Sequence, residues 1–402
     1  MRTLLFVGAG RQQRDAILRA KELGLRVVAI DRDPTAPGLG AADVAKILDF
    51  SDVDAVLRST ARLKLDGVLT VGVDSAVPVV AAVAAARTLP GIGVTTAHVM
   101  THKVAMRRRL GETGVPQPRF AALRSLSERR RAAEEVGFPA VLKPADATGQ
   151  RGVSRVDSLD DLDAHLHEAL AASPSGEALL EELVEGTEMN AVVIARDGEV
   201  SLLTLSDRLR PTGIGFGVGW SHVFPAAVYG MQLEESERIA TYAVHTLGLQ
   251  AGIALVQLIA APGGEVVVVG CAAQIPGGQM ADLVRHAVGV DLVEVQIKLA
   301  LGDELPDDAV RPRFSQPVAV RFWTADPGPL PAGRVQRVGP LDKVLAFPGV
   351  VQAEVFLHER DVIRPVRDAD DRYGYVLAAG GTNLEALERA EAASRLLDVE
   401  VE

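Results

Sequence analysis

The chain of 402 residues has a single cysteine, Cys271, so no disulfide bond can form within it. This composition fits a reducing compartment, and we expect a cytoplasmic protein. The longest apolar run, residues 76–86, contains Pro78 and is too short to cross a bilayer, so we expect no membrane partner. The apolar start of the chain is also too short for the core of a secretion signal and is predicted to be a first β-strand.

Acidic residues outnumber basic ones, 53 to 42. The net charge is −11, and we therefore expect no nucleic-acid partner, because such binding usually needs a basic field. The short basic runs at residues 107–109 and 129–131 are predicted to be solvated helix faces. Only seven lysines occur in the chain. Because arginine supplies most of the positive charge, a retained lysine favours a need for a compact ammonium group, while an ordinary surface lysine is the alternative for any one of them taken alone.

An apolar content of 48% indicates a globular protein, and the length predicts two to four domains. Strand and helix patterns alternate over the first 95 residues: strand 3–7, helix 12–23, strand 25–30 and strand 67–71. This alternation predicts a parallel, doubly wound sheet. Gly8, Gly10 and Asp31 suggest a dinucleotide-binding turn, but Gln13 occupies the position of the third glycine. A tight strand-to-helix turn is the favoured interpretation.

Lys143 follows a short apolar run, residues 138–142, and precedes a loop that contains Thr148, Gly149 and Gly152. Glycines let backbone N–H groups approach phosphate oxygens closely, while a lysine at a strand end adds a fixed charge. Lys103 begins a predicted helix over residues 103–113, with Thr101 as its N-cap.

Downstream, Glu181, Glu182 and Glu188 flank residues 183–186, including Val184. Spacing alone also allows a solvated acidic face. Taken with the lysine loop, however, this segment resembles the nucleotide-binding core of the ATP-grasp superfamily. The resemblance implies that Lys103 and Lys143 contact the phosphates of ATP and that the loop of Thr148, Gly149 and Gly152 covers them. It also implies that the Glu181–Val184 region reads adenine and that Glu188 holds the ribose.

In that family two strands, here residues 252–258 and 265–269, carry a Mg²⁺ site. Gln257 stands where a glutamate is usual, Gly270 replaces a second glutamate, and Gln274 replaces an arginine. A neutral amide is a poor substitute, since Mg²⁺ bound with ATP relies on one or two carboxylates. Gln257 is the one metal ligand we predict, and the Mg²⁺ site is expected to be weakened. Whether another carboxylate, such as Asp282, replaces the lost ligand is open at this point.

The resemblance also gives candidate residues around the transferred group. Arg208 stands where relatives place a basic residue near the γ-phosphate or substrate, and Arg285 could face the acceptor carboxylate. Gln274 completes the predicted catalytic set. His222 lies in a further stretch familiar from the family.

The resemblance covers nearly the whole chain and predicts α/β and α+β architecture. A Rossmann-like domain would span residues 1–95, ATP-grasp nucleotide-binding lobes 96–302, and a small α+β lobe 303–402. The similarity is to carboxylate–amine ligases related to carbamoyl-phosphate synthase and biotin carboxylase. It implies that ATP activates a small-molecule carboxylate as an acyl phosphate, which an amine then attacks, and that the protein is a homodimer.

Two alternatives stay open. The chain could be a non-catalytic descendant that binds nucleotide as a sensor or partner protein. It could also be a nicotinamide-dependent dehydrogenase, but that hypothesis leaves the pattern over residues 141–188 unexplained.

Overall fold

The computed structural model describes residues 1–210 and 217–402. Its N-terminal part forms a parallel sheet in the order β3-β2-β1-β4, as predicted. Alternate residues of β1 face opposite sides: Leu4 and Phe6 pack with α1, and Leu5 and Val7 pack with α3 and α4. The elements are β1 (Thr3–Val7), α1 (Arg11–Glu22), β2 (Arg26–Asp31), α2 (Pro37–Ala41), β3 (Val44–Ile47), α3 (Val53–Thr60), β4 (Gly67–Leu69), α4 (Val77–Arg87) and α5 (Val94–Thr101).

A second sheet follows, with the antiparallel order β5-β8-β6-β7. Helices α7 and α8 cover it with apolar side chains that include Val136 and Leu166. Its elements are α6 (Lys103–Glu112), β5 (Phe120–Leu123), α7 (Arg129–Val136), β6 (Ala140–Pro144), β7 (Ser154–Val156), α8 (Leu159–Ala172) and β8 (Ala178–Glu182).

The start of α6 corrects one prediction. His102, not Thr101, is the N-cap, and its Nδ1 accepts a hydrogen bond from the N–H of Ala105 at 3.3 Å. Thr101 instead ends α5, where its hydroxyl donates to the carbonyl of Ala97 at 2.7 Å.

The third sheet has eight strands in the order β13-β12-β9-β10-β11-β14-β18-β16. The elements up to residue 300 are β9 (Thr187–Arg196), β10 (Glu199–Leu209), β11 (Ser221–Phe224), α9 (Met231–Thr246), β12 (Gly252–Ala260), β13 (Val266–Ala272), α10 (Met280–Val288) and α11 (Leu292–Ala300). Those that follow are β14 (Val318–Phe322), β15 (Gly333–Val338), α12 (Asp342–Leu345), β16 (Val350–Val355), β17 (Val362–Ile363), β18 (Gly374–Ala379), α13 (Asn383–Ser394) and β19 (Val399–Val401).

Strands from both sides of residue 303 share this sheet, because β11 pairs with β14 along its whole length. The division of the chain at residue 303 stays a prediction. One apolar cluster runs from Phe6 and Ile17 through Leu283 to Val320, so the N-terminal sheet is packed against the large sheet. In the part of the chain that the structure describes, no helix has the length and apolar character needed to cross a membrane.

Candidate functional site

A cavity of about 730 Å³ lies where the three sheets meet. Most residues predicted from the sequence line it, although Gly152 and Arg285 do not. The predicted residues in its wall are Lys103, Lys143, Thr148, Gly149, Glu181, Glu182, Val184, Glu188, Arg208, Gln257 and Gln274.

Lys143 is the penultimate residue of strand β6 and forms an ion pair with Glu181 on the neighbouring strand β8. The same carboxylate accepts a hydrogen bond from Nε of Arg107 at 2.6 Å. Burial alone would raise the pKa of Glu181, but the charges of Arg107 and Lys143 lower it to about 2. Glu181 therefore holds Lys143 in place, and its carboxylate is not available to a nucleotide base.

Arg107 is fully buried, so the prediction that residues 107–109 form a solvated helix face is wrong for this residue. Its guanidinium donates to the carbonyl oxygens of Val268 and Val269, at 2.6 and 2.9 Å. Arg107 thus ties α6 to β13 and supplies the charge that keeps Glu181 ionised.

Lys103 provides a second ammonium group. Its Nζ donates to the carbonyl of Ala147 at 2.8 Å, within the glycine-containing loop. Burial and, next, the charge of Lys143 lower the pKa of Lys103 to about 8, against the opposite effect of Asp74. Two neighbouring ammonium groups that repel each other form a suitable site for a polyanion.

In the loop over residues 147–153, Gly149 and Gly152 have φ angles of +71° and +67°, which favour glycine. Gly149 lines the cavity, but Gly152 does not, and the predicted contact of Gly152 with phosphate stays a prediction. A Cβ at residue 152 would lie 3.0 Å from Cγ of Pro144, so this glycine serves close packing. The carbonyl of Gly149 accepts a hydrogen bond from the N–H of Ala369 at 3.0 Å, which joins the loop to the C-terminal part.

The segment between β8 and β9 passes along the cavity wall at Val184. The two carboxylates beside it are both engaged with arginines. Glu182 pairs with Arg119 at 3.1 Å, and Glu188 pairs with Arg208 at 2.5 Å and with Arg210. Glu188 therefore positions Arg208; the predicted contact of Glu188 with a ribose stays a prediction.

At the predicted metal position, Gln257 on β12 lies directly opposite Gly270 on β13. A Cβ at residue 270 would lie 2.8 Å from Oε1 of Gln257, so the amide occupies the space over the glycine. Among the described residues, no group of three His, Cys, Asp or Glu side chains is arranged to hold a metal ion. The residues present therefore do not fit the two-carboxylate Mg²⁺ site of the family.

Gln274 lines the cavity, but its amide is turned toward the N-terminal sheet. Its Oε1 accepts from the N–H of Val73 at 2.9 Å, and its Nε2 donates to Asp74. The residue predicted to stand in for a catalytic arginine thus connects two parts of the fold. Burial raises the pKa of the Asp74 carboxyl, against the effects of Lys103 and Gln274.

Arg285 and Asp282 lie in an adjoining cavity of about 320 Å³. They form an ion pair of 2.7 Å with each other. Asp282 is therefore not a replacement carboxylate in the main cavity, and the predicted contact of Arg285 with an acceptor carboxylate stays a prediction.

Two further residues line the main cavity: Arg372, which no sequence pattern indicated, and His222, which was indicated only as part of a stretch familiar from the family. Arg372 stacks on the ring of Phe322, 4.2 Å from its centroid, and donates to the carbonyl of Gly219 at 2.5 Å. Among the residues that the structure describes, no carboxylate pairs with it. Burial and then the charge of Arg208 lower the pKa of Arg372 to about 9. No sequence motif around residue 372 indicates a role in the site, and Arg372 lies 164 positions after Arg208 in the chain.

The glycine turn near the N-terminus is closed by its own side chains. Asp31 accepts hydrogen bonds from the N–H groups of Ala9 and Asp33, at 2.7 and 3.0 Å. Gln13 donates to the carbonyl of Val71. The carboxylate that would recognise a nicotinamide cofactor's ribose is thus engaged with the turn, which supports the interpretation as a tight turn.

Comparisons with known proteins agree with this arrangement. Residues 102–308 match the family model described as the carbamoyl-phosphate synthase L chain, ATP binding domain, and residues 329–402 match L-amino acid ligase C-terminal domain 2. The uncharacterized protein y4rH of Sinorhizobium fredii is 28% identical over 389 residues, covering 94% of this chain and 77% of that protein.

A formate-dependent phosphoribosylglycinamide formyltransferase of Synechococcus is 26% identical over 422 residues, which cover 99% of this chain and 98% of that enzyme. The crystal structure of L-amino acid ligase from Bacillus licheniformis superposes with a TM-score of 0.85 at 20% identity, over 100% of this chain and 99% of that one. The predicted fold class is therefore confirmed.

Proposed function

The chain belongs to the ATP-grasp family of carboxylate–amine ligases, the family of the carbamoyl-phosphate synthase ATP-binding domain, and we propose that it joins a small-molecule carboxylate to an amine through an acyl phosphate. ATP-dependent ligation is the activity of this family.

The observation that carries the proposal is the convergence of Lys103, Lys143, Arg208 and Arg372 on one cavity. Burial and then repulsion by Lys143 lower the pKa of Lys103, and burial and then repulsion by Arg208 lower the pKa of Arg372. A bound polyanion would relieve both repulsions. A nucleoside triphosphate together with its acceptor carboxylate carries the negative charges that these four cations would bind.

In the proposed reaction, an oxygen of the carboxylate forms a bond to the γ-phosphorus of ATP as the bond to ADP breaks. The nitrogen of the amine then forms a bond to the carbonyl carbon, and phosphate leaves. The four cations would bind and orient the phosphate groups and offset the charge that moves between them. Asp74 would accept the proton that the amine loses. Of the described carboxylates in the cavity wall, it alone forms no ion pair with lysine or arginine.

The test is a thermal-shift comparison of ATP, ADP and NAD(H), followed by phosphate release across a panel of carboxylates and amines. Clear stabilisation by ATP and ADP, with none by NAD(H), is expected. Stabilisation by NAD(H) alone would refute the proposal and restore the dehydrogenase hypothesis.

A non-catalytic nucleotide-binding role is the second candidate, and the neutral pair of Gln257 and Gly270 favours it. Binding of ATP without phosphate release for any pair in a broad panel would support this role. Release that depends on one carboxylate and one amine would exclude it.

A further inference from the structure

Asn190 on β9 and His222 on β11 form a polar pair in the cavity wall. They are only 2% and 4% exposed. Nδ2 of Asn190 lies 3.1 Å from Nδ1 of His222. An amide NH₂ group can only donate, so Nδ1 must accept, and the proton of the neutral ring then lies on Nε2.

The ring is neutral because burial, and next the charges of Arg372 and Arg208, lower the pKa of His222 well below its usual value. Its edge packs against Phe322, with the ring centroids 5.5 Å apart. Gly278, with φ +70°, brings the loop close to the ring. A Cβ there would lie 3.3 Å from Nε2 of His222 and 3.4 Å from Nη1 of Arg372. The imidazole N–H is therefore a neighbour of a guanidinium.

His222 and Arg372 both line the main cavity. Among the described residues, Nε2 of His222 has no hydrogen-bond partner, and the guanidinium of Arg372 donates only to a backbone carbonyl. A neutral N–H donor beside a guanidinium without a carboxylate partner suits an anionic group of a ligand.

We propose that His222 donates a hydrogen bond from Nε2 to an oxygen of the γ-phosphoryl group beside Arg372, and that Asn190 is the positioning residue that fixes this tautomer. The inference rests on the proposed function. No proton is transferred; the ring stays neutral while the donor offsets charge on the phosphoryl oxygens. A donor held in place before the reaction needs no reorganisation when that charge moves.

The first experiment measures dissociation constants for ATP and for ADP by calorimetry. We expect His222→Phe to weaken ATP binding about tenfold, as for the loss of one hydrogen bond to a charged group, and to leave ADP binding within about twofold. His222→Gln keeps an N–H donor and should retain most of the preference for ATP. His245→Phe, at an exposed position on α9, is the matched control.

Equal losses of ATP and ADP affinity in His222→Phe, or equal weakening by His222→Gln and His222→Phe, would overturn the inference. So would a folded His222→Phe protein with unchanged ATP affinity. If the unaltered chain binds neither nucleotide, the proposed function fails and the inference fails with it; intact ATP binding separates the two outcomes.

The second experiment needs no ligand. A two-bond ¹H–¹⁵N spectrum of the unaltered chain should show the His222 ring with a bare Nδ1 and a proton on Nε2. Asn190→Leu should replace this pattern by a mixture of tautomers. A proton on Nδ1 in the unaltered chain would refute the assignment, whatever the stability of the variants.

Discussion

Replacing Lys143 by alanine should weaken ATP binding while leaving the fold largely intact. The buried carboxylate of Glu181 would still be paired with Arg107, whose Nε lies 2.6 Å away. The variant therefore loses one charge-assisted contact to phosphate, worth roughly 1.5–3 kcal/mol. This energy corresponds to a dissociation constant for ATP raised about 10- to 150-fold.

Arg107→Leu perturbs the same carboxylate with the opposite outcome. Arg107 is fully buried, and its loss also removes a donor from the carbonyl groups of Val268 and Val269. Lys143 would remain beside Glu181, but the two carbonyl groups would lose their donor, and each unsatisfied buried acceptor costs about 1–3 kcal/mol of the free energy of unfolding. Of the two cationic side chains that pair with Glu181, Lys143 should thus be needed for ATP binding and Arg107 for stability.

The assays are ATP calorimetry and urea unfolding followed by circular dichroism. Lys343→Ala, at an exposed position on α12, is the matched control and should change neither quantity. ATP affinity that is unchanged in Lys143→Ala would refute the phosphate contact. A loss of stability as large as that of Arg107→Leu would refute the division of roles.

Three further predictions concern the metal, pH and assembly. The affinity of the unaltered chain for ATP should respond little to Mg²⁺, whereas Gly270→Glu with Gln274→Arg should bind ATP at least about tenfold more tightly when Mg²⁺ is added, because a hard carboxylate ligand returns; equal calorimetric responses would contradict this. Folding lowers the pKa of Glu181 from 4.5 to about 2, so the ionised carboxylate stabilises the fold at pH values above 4.5. Roughly 3 kcal/mol of the free energy of unfolding should therefore be lost as the pH falls from 4.5 to 2. Urea unfolding of Glu181→Gln should lack this part of the dependence of stability on pH. Light scattering should give twice the chain mass of 42.5 kDa, and a monomeric mass would exclude the predicted homodimer.

Local signals were sufficient to predict much of this molecule. The strand that contains Lys143, the glycines that follow it and the helix that begins at Lys103 are each specified within a few residues, although the N-cap of that helix is not. Such features depend on short-range periodicity and on turn residues, which the sequence displays directly. Gln257 and Gly270 were instead indicated by the family resemblance, and the antiparallel pairing of β12 with β13 shows that they lie opposite each other.

Other features depend on contacts that no local pattern reveals. Arg107 belongs to a basic run that resembles a solvated face, and only the packing of α6 against β13 buries it. Gln274 lines the cavity, as its place in the sequence suggested, but the orientation of its amide is set by hydrogen bonds to Val73 and Asp74, about 200 residues away. Arg372 precedes β18, and it lies at the cavity because the strand order of the large sheet places β18 next to β14.

The pairing of β11 with β14 has a consequence for shortened forms of the chain. A fragment that ends near residue 310 would leave β11 as an open strand edge with unpaired N–H and C=O groups. It would also uncover the apolar cluster that Val318, Val320 and Phe322 complete. Open edges of this kind recruit other polypeptides and lead to aggregation. Loss of the C-terminal part should therefore give a product that aggregates and is insoluble, and a smaller active enzyme is not expected.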